Sequence, residues 1–219
     1  MRLPGATVVA ACWLLLLPGA GPAAAEMAGV PETEELTFAI LREGDRIGTH
    51  TYRFRPDGAA LEVHYVTDIA VKLAFITAFR FEHAGHEAWR DGRLVSLTTR
   101  TNDDGDAHTV KAVANGNVVE VMADGVRRTA DPAIMPASFW DPRTVERRQI
   151  LNVVDGRLMT VAITDLGEET ISAAGRSITA RHYVMTGDFQ RELWFDASGV
   201  MVRQRFIGEA GSEILFELE

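Results

Sequence analysis

The segment Glu82-His83-Ala84-Gly85-His86-Glu87 sets two imidazoles between two carboxylates within six positions, and both ligand types suit a zinc ion. Spacing argues against the site. In an unbroken strand the side chains of His83 and His86 leave on opposite faces, and only a bulge or turn at Gly85 would bring them together. The order also lacks the helical H-E-x-x-H pattern that places two ligands one turn apart. The loop Asn102-Asp103-Asp104-Gly105-Asp106 suggests calcium. Aligning Gly105 with the sixth-position glycine of an EF-hand, however, puts Arg100 first and Lys111 twelfth, where carboxylates are required. The expectation is no metal site and no cofactor.

Nucleophilic catalysis has little to build on. There is no G-x-S-x-G elbow, and Cys12 is the single cysteine. Ser138, just ahead of Phe139-Trp140, and the six histidines leave a secreted hydrolase open as an alternative. Recognition of a ligand has more. Arg181, Tyr183, Glu192, Trp194, Arg203 and Arg205 read as one wet face of the last strands, with cations beside aromatic platforms that suit a lipid head group or a cell-wall polymer. The competing reading is a set of cross-strand ion pairs that keeps the sheet soluble. With the aromatic pair that precedes the one non-strand stretch, the expected ligand-binding residues are Phe139, Trp140, Arg181, Tyr183, Trp194 and Arg203.

The elements that must position these residues are strands. Asp-Gly pairs at 57–58, 91–92, 104–105, 124–125 and 155–156, with Glu43-Gly44, Asn115-Gly116 and Ser198-Gly199, supply the positive φ angles that tight reversals need. Between them the chain alternates: Leu61, Val63, Tyr65, Thr67 and Ile69 take one face, Glu62, His64 and Asp68 the other. The pattern predicts strands over 35–42, 45–55, 60–71, 75–89, 93–102, 107–114, 117–123, 158–165, 176–186, 189–196, 200–207 and 212–218. Short connections favour antiparallel neighbours. One stretch breaks the alternation. Asp141 as a cap, Pro142 in the first turn and Val145, Ile150, Leu151 and Val154 beyond predict a helix over 142–152, with Phe139 and Trp140 packed on the dry face of the sheet. So many strands accumulate twist, so the fold class expected is all-β: one large curved sheet, half-barrel or barrel, with a short helix on its concave face. The 131–142 loop would then gate an apolar trough.

The first residues have the parts of a signal peptide: Arg2, the apolar run 6–17, and Ala23-Ala24-Ala25 as a cleavage site. Pro18-Gly19 stops the run short of the ~20 apolar residues a membrane span needs. The expected organisation is a leader over 1–25, a flexible lead-in over 26–34 and a single β domain over 35–219, periplasmic or secreted and not membrane-spanning. With 22 Lys and Arg against 31 Asp and Glu, a net charge of −9, nucleic acid is not an expected partner.

The strings RIGTHTYRF (46–54), DIAVKLAFITAFRF (68–81), EAWRDGRLVSLTTRTNDDG (87–105), PASFWDP (136–142) and ELWFDASG (192–199) resemble a family of uncharacterised bacterial exported proteins that carries a domain-of-unknown-function label. WRDGRL, TNDDG and the final LWFD-x-x-G hairpin are the motifs that carry the resemblance. It implies an exported β-sheet domain and no particular activity. More distantly, the architecture is similar to the curved half-barrel of LolA-type periplasmic lipid and lipoprotein carriers. The function expected is a non-enzymatic envelope protein that binds an apolar or amphiphilic ligand, lipid included, on the concave face. The alternatives are the hydrolase and a structural or assembly factor that binds another envelope protein.

Overall fold

The computed structural model describes residues 28–73, 76–208 and 211–219. The expected leader over 1–25, Cys12 within it, and the first two residues of the lead-in lie outside the described residues.

The strands are β1 (Glu35–Arg42), β2 (Asp45–Asp57), β3 (Ala60–Leu73), β4 (Ile76–Arg90), β5 (Arg93–Asp103), β6 (Asp106–Asn115), β7 (Val118–Ala123) and β8 (Val126–Ala130), then β9 (Met135–Pro136), β10 (Gln149–Leu151), β11 (Leu158–Ala173), β12 (Arg176–Gly187), β13 (Arg191–Asp196), β14 (Met201–Ile207) and β15 (Glu213–Leu218). All belong to one sheet, ordered β8-β7-β6-β5-β4-β3-β2-β1-β15-β14-β13-β12-β11-β10-β9. Every neighbouring pair is antiparallel except β9 and β10, which are parallel. The protein is thus all-β and mostly antiparallel, one large sheet with almost no helix.

Two meanders run outward from the centre, where β1 pairs with β15 from Phe38↔Leu218 to Arg42↔Ile214. The two edges, β8 and β9, are joined only by residues 131–134. Five Cα–Cα steps reach at most about 18 Å, so edges at opposite ends of a fifteen-strand ladder must approach in space. The sheet therefore curls on itself without closing its ladder.

Local chemistry accounts for the reversals. At 91–92, 104–105 and 124–125 both turn residues have positive φ (49° and 70°, 51° and 105°, 46° and 83°), the geometry that matches strand twist in a two-residue hairpin. Ala174-Gly175 makes the same turn between β11 and β12 with no Asp or Asn to announce it.

The helix expected over 142–152 is corrected to a single 3-10 turn, Pro142–Glu146. Asp141 does cap it, its carboxylate accepting from the Arg143 backbone N–H at 2.9 Å, and Pro142 occupies the first turn. Beyond Arg147 the backbone is extended, and Gln149–Leu151 pairs with β11 on one side while Ile150 and Leu151 pair with β9 on the other. Two strand neighbours satisfy those backbone groups better than one or two unsupported helical turns could. The alternation does not reveal β8, β9 and β10 as strands: β8 and β9 are short edge elements, β10 beside β9 is three residues long, and the sequence of β8 is the polar Val126-Arg127-Arg128-Thr129-Ala130.

The main core fills the concave side, with Phe38, Ile40, Val63, Leu97, Ile150 and Leu193 fully buried. A smaller cluster, Ile171, Ala173, Ala180, Trp194 and Val202, packs separately, and Trp194 alternates with the main-core residues Leu193 and Phe195 along β13.

Candidate functional site

The segment 134–141 is buried throughout and forms one wall of the concave side. Two of its residues part company. Phe139 has φ 63°, a left-handed conformation uncommon for a bulky side chain and worth of order 1–3 kcal/mol of strain. Its ring stacks on Phe189 at 5.7 Å, against a cavity of about 640 Å³. Trp140 does not line that cavity. Its indole packs against Phe54 and Trp89 and donates to Glu87.

Glu87 is fully buried, and its Oε2 accepts from Trp89 Nε1 and Trp140 Nε1, each at 2.9 Å. Burial raises its carboxyl above the usual range, against the lowering effect of hydrogen bonding to Trp140, Ser138 and Trp89. The Tyr65 hydroxyl approaches this carboxylate without reaching hydrogen-bond geometry. Tyr65 gets there because its ring lies over Gly85, its cross-strand partner on β4, where a Cβ would sit 2.1 Å from the ring. The Tyr52 hydroxyl donates to the Ser138 carbonyl and ties the buried segment to β2. No histidine is hydrogen-bonded to Ser138 among the described residues, so the arrangement needed for a serine nucleophile is not assembled there.

The cavity wall is mostly apolar, with Ile47, Ile69, Phe79, Phe81, Phe206 and Phe216 among its residues. Several of its polar residues carry a buried atom that has no hydrogen-bond partner. His50 and His83 each hold a threonine through Nδ1, to Thr67 Oγ1 and Thr101 Oγ1 at 2.7 Å, and each leaves Nε2 without a partner. Burial is the main cause that pushes His50 down to about 3, with the His83 and Arg191 charges adding to it, and burial takes His83 down to about 4. Both rings are therefore neutral at physiological pH.

Arg191, at the start of β13, is the remaining cavity residue of note. Its guanidinium lies 3.7 Å from the Phe206 ring centroid, 4.7 Å from Phe189 and 5.7 Å from Phe139. Nε and Nη1 are buried without a hydrogen-bond partner, and no carboxylate pairs with it among the described residues. Burial lowers it to about 9, so the charge persists at neutral pH. With Gln204 Oε1 and the Tyr65 hydroxyl, six buried and unpaired polar atoms belong to residues around this one cavity. Buried polar groups in folded proteins are nearly always paired, so their concentration here sets this cavity wall apart from the rest of the core.

The residues singled out in the sequence divide differently. β4 runs through Gly85 without a break at that position, so His83 faces the cavity and His86 the opposite side. Asn102 to Gly105 is a hairpin turn, in which Asn102 Oδ1 accepts from Gly105 N at 2.9 Å. Arg181 and Tyr183 pair across β13 with Phe195 and Leu193, whereas Trp194 pairs with His182, so Trp194 stands on the other face of the sheet from Arg181 and Tyr183. Arg181 forms an ion pair with Asp165 at 2.7 Å, and Tyr183 packs on the main core. Trp194 stacks on His182 at 4.0 Å, with Arg203 and Arg205 each 5.8 Å from its ring, while Arg203 also pairs with Glu217 at 3.2 Å and Arg205 with Glu192 at 2.7 Å. That outer group is the ion-pair network of the competing reading. Of the six expected residues, Phe139 alone lines the cavity, and Arg191, His50 and His83 were not foreseen as its polar groups.

A sheet of this size, curled round one cavity without closing its ladder, defines a barrel-like antiparallel β protein. Residues 38–219 match the family described as a domain of unknown function (DUF6134), and the chain belongs to that family. The fold is shared with the crystal structure of a beta-barrel-like protein of domain of unknown function DUF1849 from Brucella abortus. That likeness has a TM-score of 0.58 at 7% identity, over 84% of this chain and 94% of that one. No curated protein matches the chain. Among the described residues no helix is long and apolar enough to cross a membrane.

Proposed function

We propose that the concave cavity binds an amphiphile with an apolar body and a single anionic group, and that the protein acts as a non-enzymatic binding protein of the cell envelope. The observation that carries this reading is Arg191. Arg191 is half-buried, with Nε and Nη1 shut off from solvent and no counter-charge beside them, which is costly against apolar walls, and an anionic ligand group would supply the missing partner. The rings of Phe139, Phe189 and Phe206 partly offset that cost and hold the guanidinium in place. A volume of about 640 Å³ lies within the range of small-molecule sites. The leader read over residues 1–25 supports the envelope setting.

Displacement of an acyl fluorophore tests the reading. Long-chain carboxylates displace the probe from the wild type, and Arg191→Met weakens them at least about tenfold, or about 1.4 kcal/mol, while leaving a matched long-chain alcohol unchanged. A wild type that binds neither compound and yields nothing to organic extraction would end the proposal and favour a partner-binding role instead.

A further inference from the structure

On the face of β3 and β4 that points away from the cavity, the register sets His64 directly opposite His86. His83 and His86 do face apart, and the partner of His86 on this face is His64 of the neighbouring strand. The two rings are parallel, 4.1 Å apart with 8° between their planes. Both Nε2 atoms are buried and have no hydrogen-bond partner. Both approach the carboxylate of Glu62, two residues before His64 on the same face, at 3.8 and 3.9 Å. Three ligand atoms thus lie within 4.8 Å of one another.

We infer that Glu62, His64 and His86 form a surface site for a divalent transition-metal ion of the zinc and copper class. Two imidazole nitrogens and one carboxylate oxygen are a donor set for borderline cations rather than for calcium or magnesium, which prefer oxygen. Tetrahedral zinc at Zn–N ≈ 2.0–2.1 Å needs nitrogens about 3.3 Å apart, so the ligand atoms, now within 4.8 Å of one another, must draw in and the stacked rings tilt toward a common point. Three protein ligands leave one position for water or a ligand from outside, as in open zinc sites. The long hairpin that carries both histidines, hydrogen-bonded on either side by β2 and β5, fixes their spacing without any metal. Arg55, opposite Glu62 on β2, opposes the ion by its charge.

The test is titration of chelator-treated full-length protein with ZnCl₂, followed by calorimetry and elemental analysis. One zinc per chain is expected, with no saturable binding of Ca²⁺ or Mg²⁺ at the same concentrations. His64→Ala and His86→Ala should each weaken zinc binding at least about tenfold, as should Glu62→Gln, whereas Arg55→Ala should tighten it. His108→Ala, at a half-buried histidine paired with Asp124 elsewhere, should leave binding unchanged and serves as the control. Far-UV circular dichroism confirms that each variant is folded. Substoichiometric zinc on the wild type, or zinc retained by the His64→Ala, His86→Ala double variant, overturns the proposal.

Discussion

Trp140 donates its indole N–H to Oε2 of Glu87, a residue 53 positions earlier in the chain, at 2.9 Å. Trp89 donates to the same oxygen from two residues away. One buried carboxyl therefore anchors the segment that walls the cavity to the strand beneath it.

Removing that acceptor should be costly. Glu87→Leu orphans two buried indole N–H groups, at roughly 1–3 kcal/mol each, and should lower the unfolding free energy by roughly 2–6 kcal/mol in urea titrations. Glu87→Gln keeps an acceptor oxygen and should cost less than about 1.5 kcal/mol. The pH dependence separates the acid from its amide. Because burial raises the folded-state pKa of Glu87, its contribution favours folding at low pH and is lost as pH rises through that raised value. The stability of the wild type relative to Glu87→Gln should thus fall with rising pH, and a relative stability that climbs would contradict the assignment.

Gly85 is required for steric reasons. A Cβ there would lie 2.1 Å from Tyr65 Cζ and 2.4 Å from its hydroxyl oxygen, so the ring must move. Gly85→Ala should destabilise by about 1–3 kcal/mol, and in a Tyr65→Ala background the penalty should largely vanish. Additive costs in that double-mutant cycle would show that the contact is not the cause.

The buried histidines make the fold acid-sensitive. Their folded-state pKa values, about 3 for His50 and about 4 for His83, lie below the ordinary 6.5, so their contribution is complete above 6.5 and is lost as pH falls toward those lower values. Ring-proton NMR should find both imidazoles neutral at pH 5.5, and unfolding measurements should show stability that declines from pH 6.5 to 4. A titration midpoint near 6.5 for either ring would show that it is solvated.

Arg191 has opposite expected effects on stability and binding. Replacing this half-buried, unpaired cation with methionine should raise the melting temperature of the ligand-free protein while weakening carboxylate ligands. A large loss of stability in Arg191→Met would mean that the cation is held for the aromatic cluster and not for a ligand.

The strands and most of the reversals could be read from the sequence alone because their causes are local. Period-two alternation in Leu61 to Ile69 and the positive-φ pairs at 91–92, 104–105 and 124–125 act within a few residues, and β1 lies over 35–42, the same range the alternation predicts. What failed locally failed for a tertiary reason: Ile150 and Leu151 are extended because β9 and β11 lie on either side of them. The site is less legible for the same reason. Parity within a strand tells which residues share a face, but only register tells which faces of two strands coincide. His64 therefore meets His86, and Arg181 is parted from Trp194, through hydrogen-bond pairings that the sequence of either strand does not contain. Arg191 looks like any strand-end arginine. Its burial among Phe139, Phe189 and Phe206 exists only once the sheet has curled and the 134–141 segment has packed on its concave face.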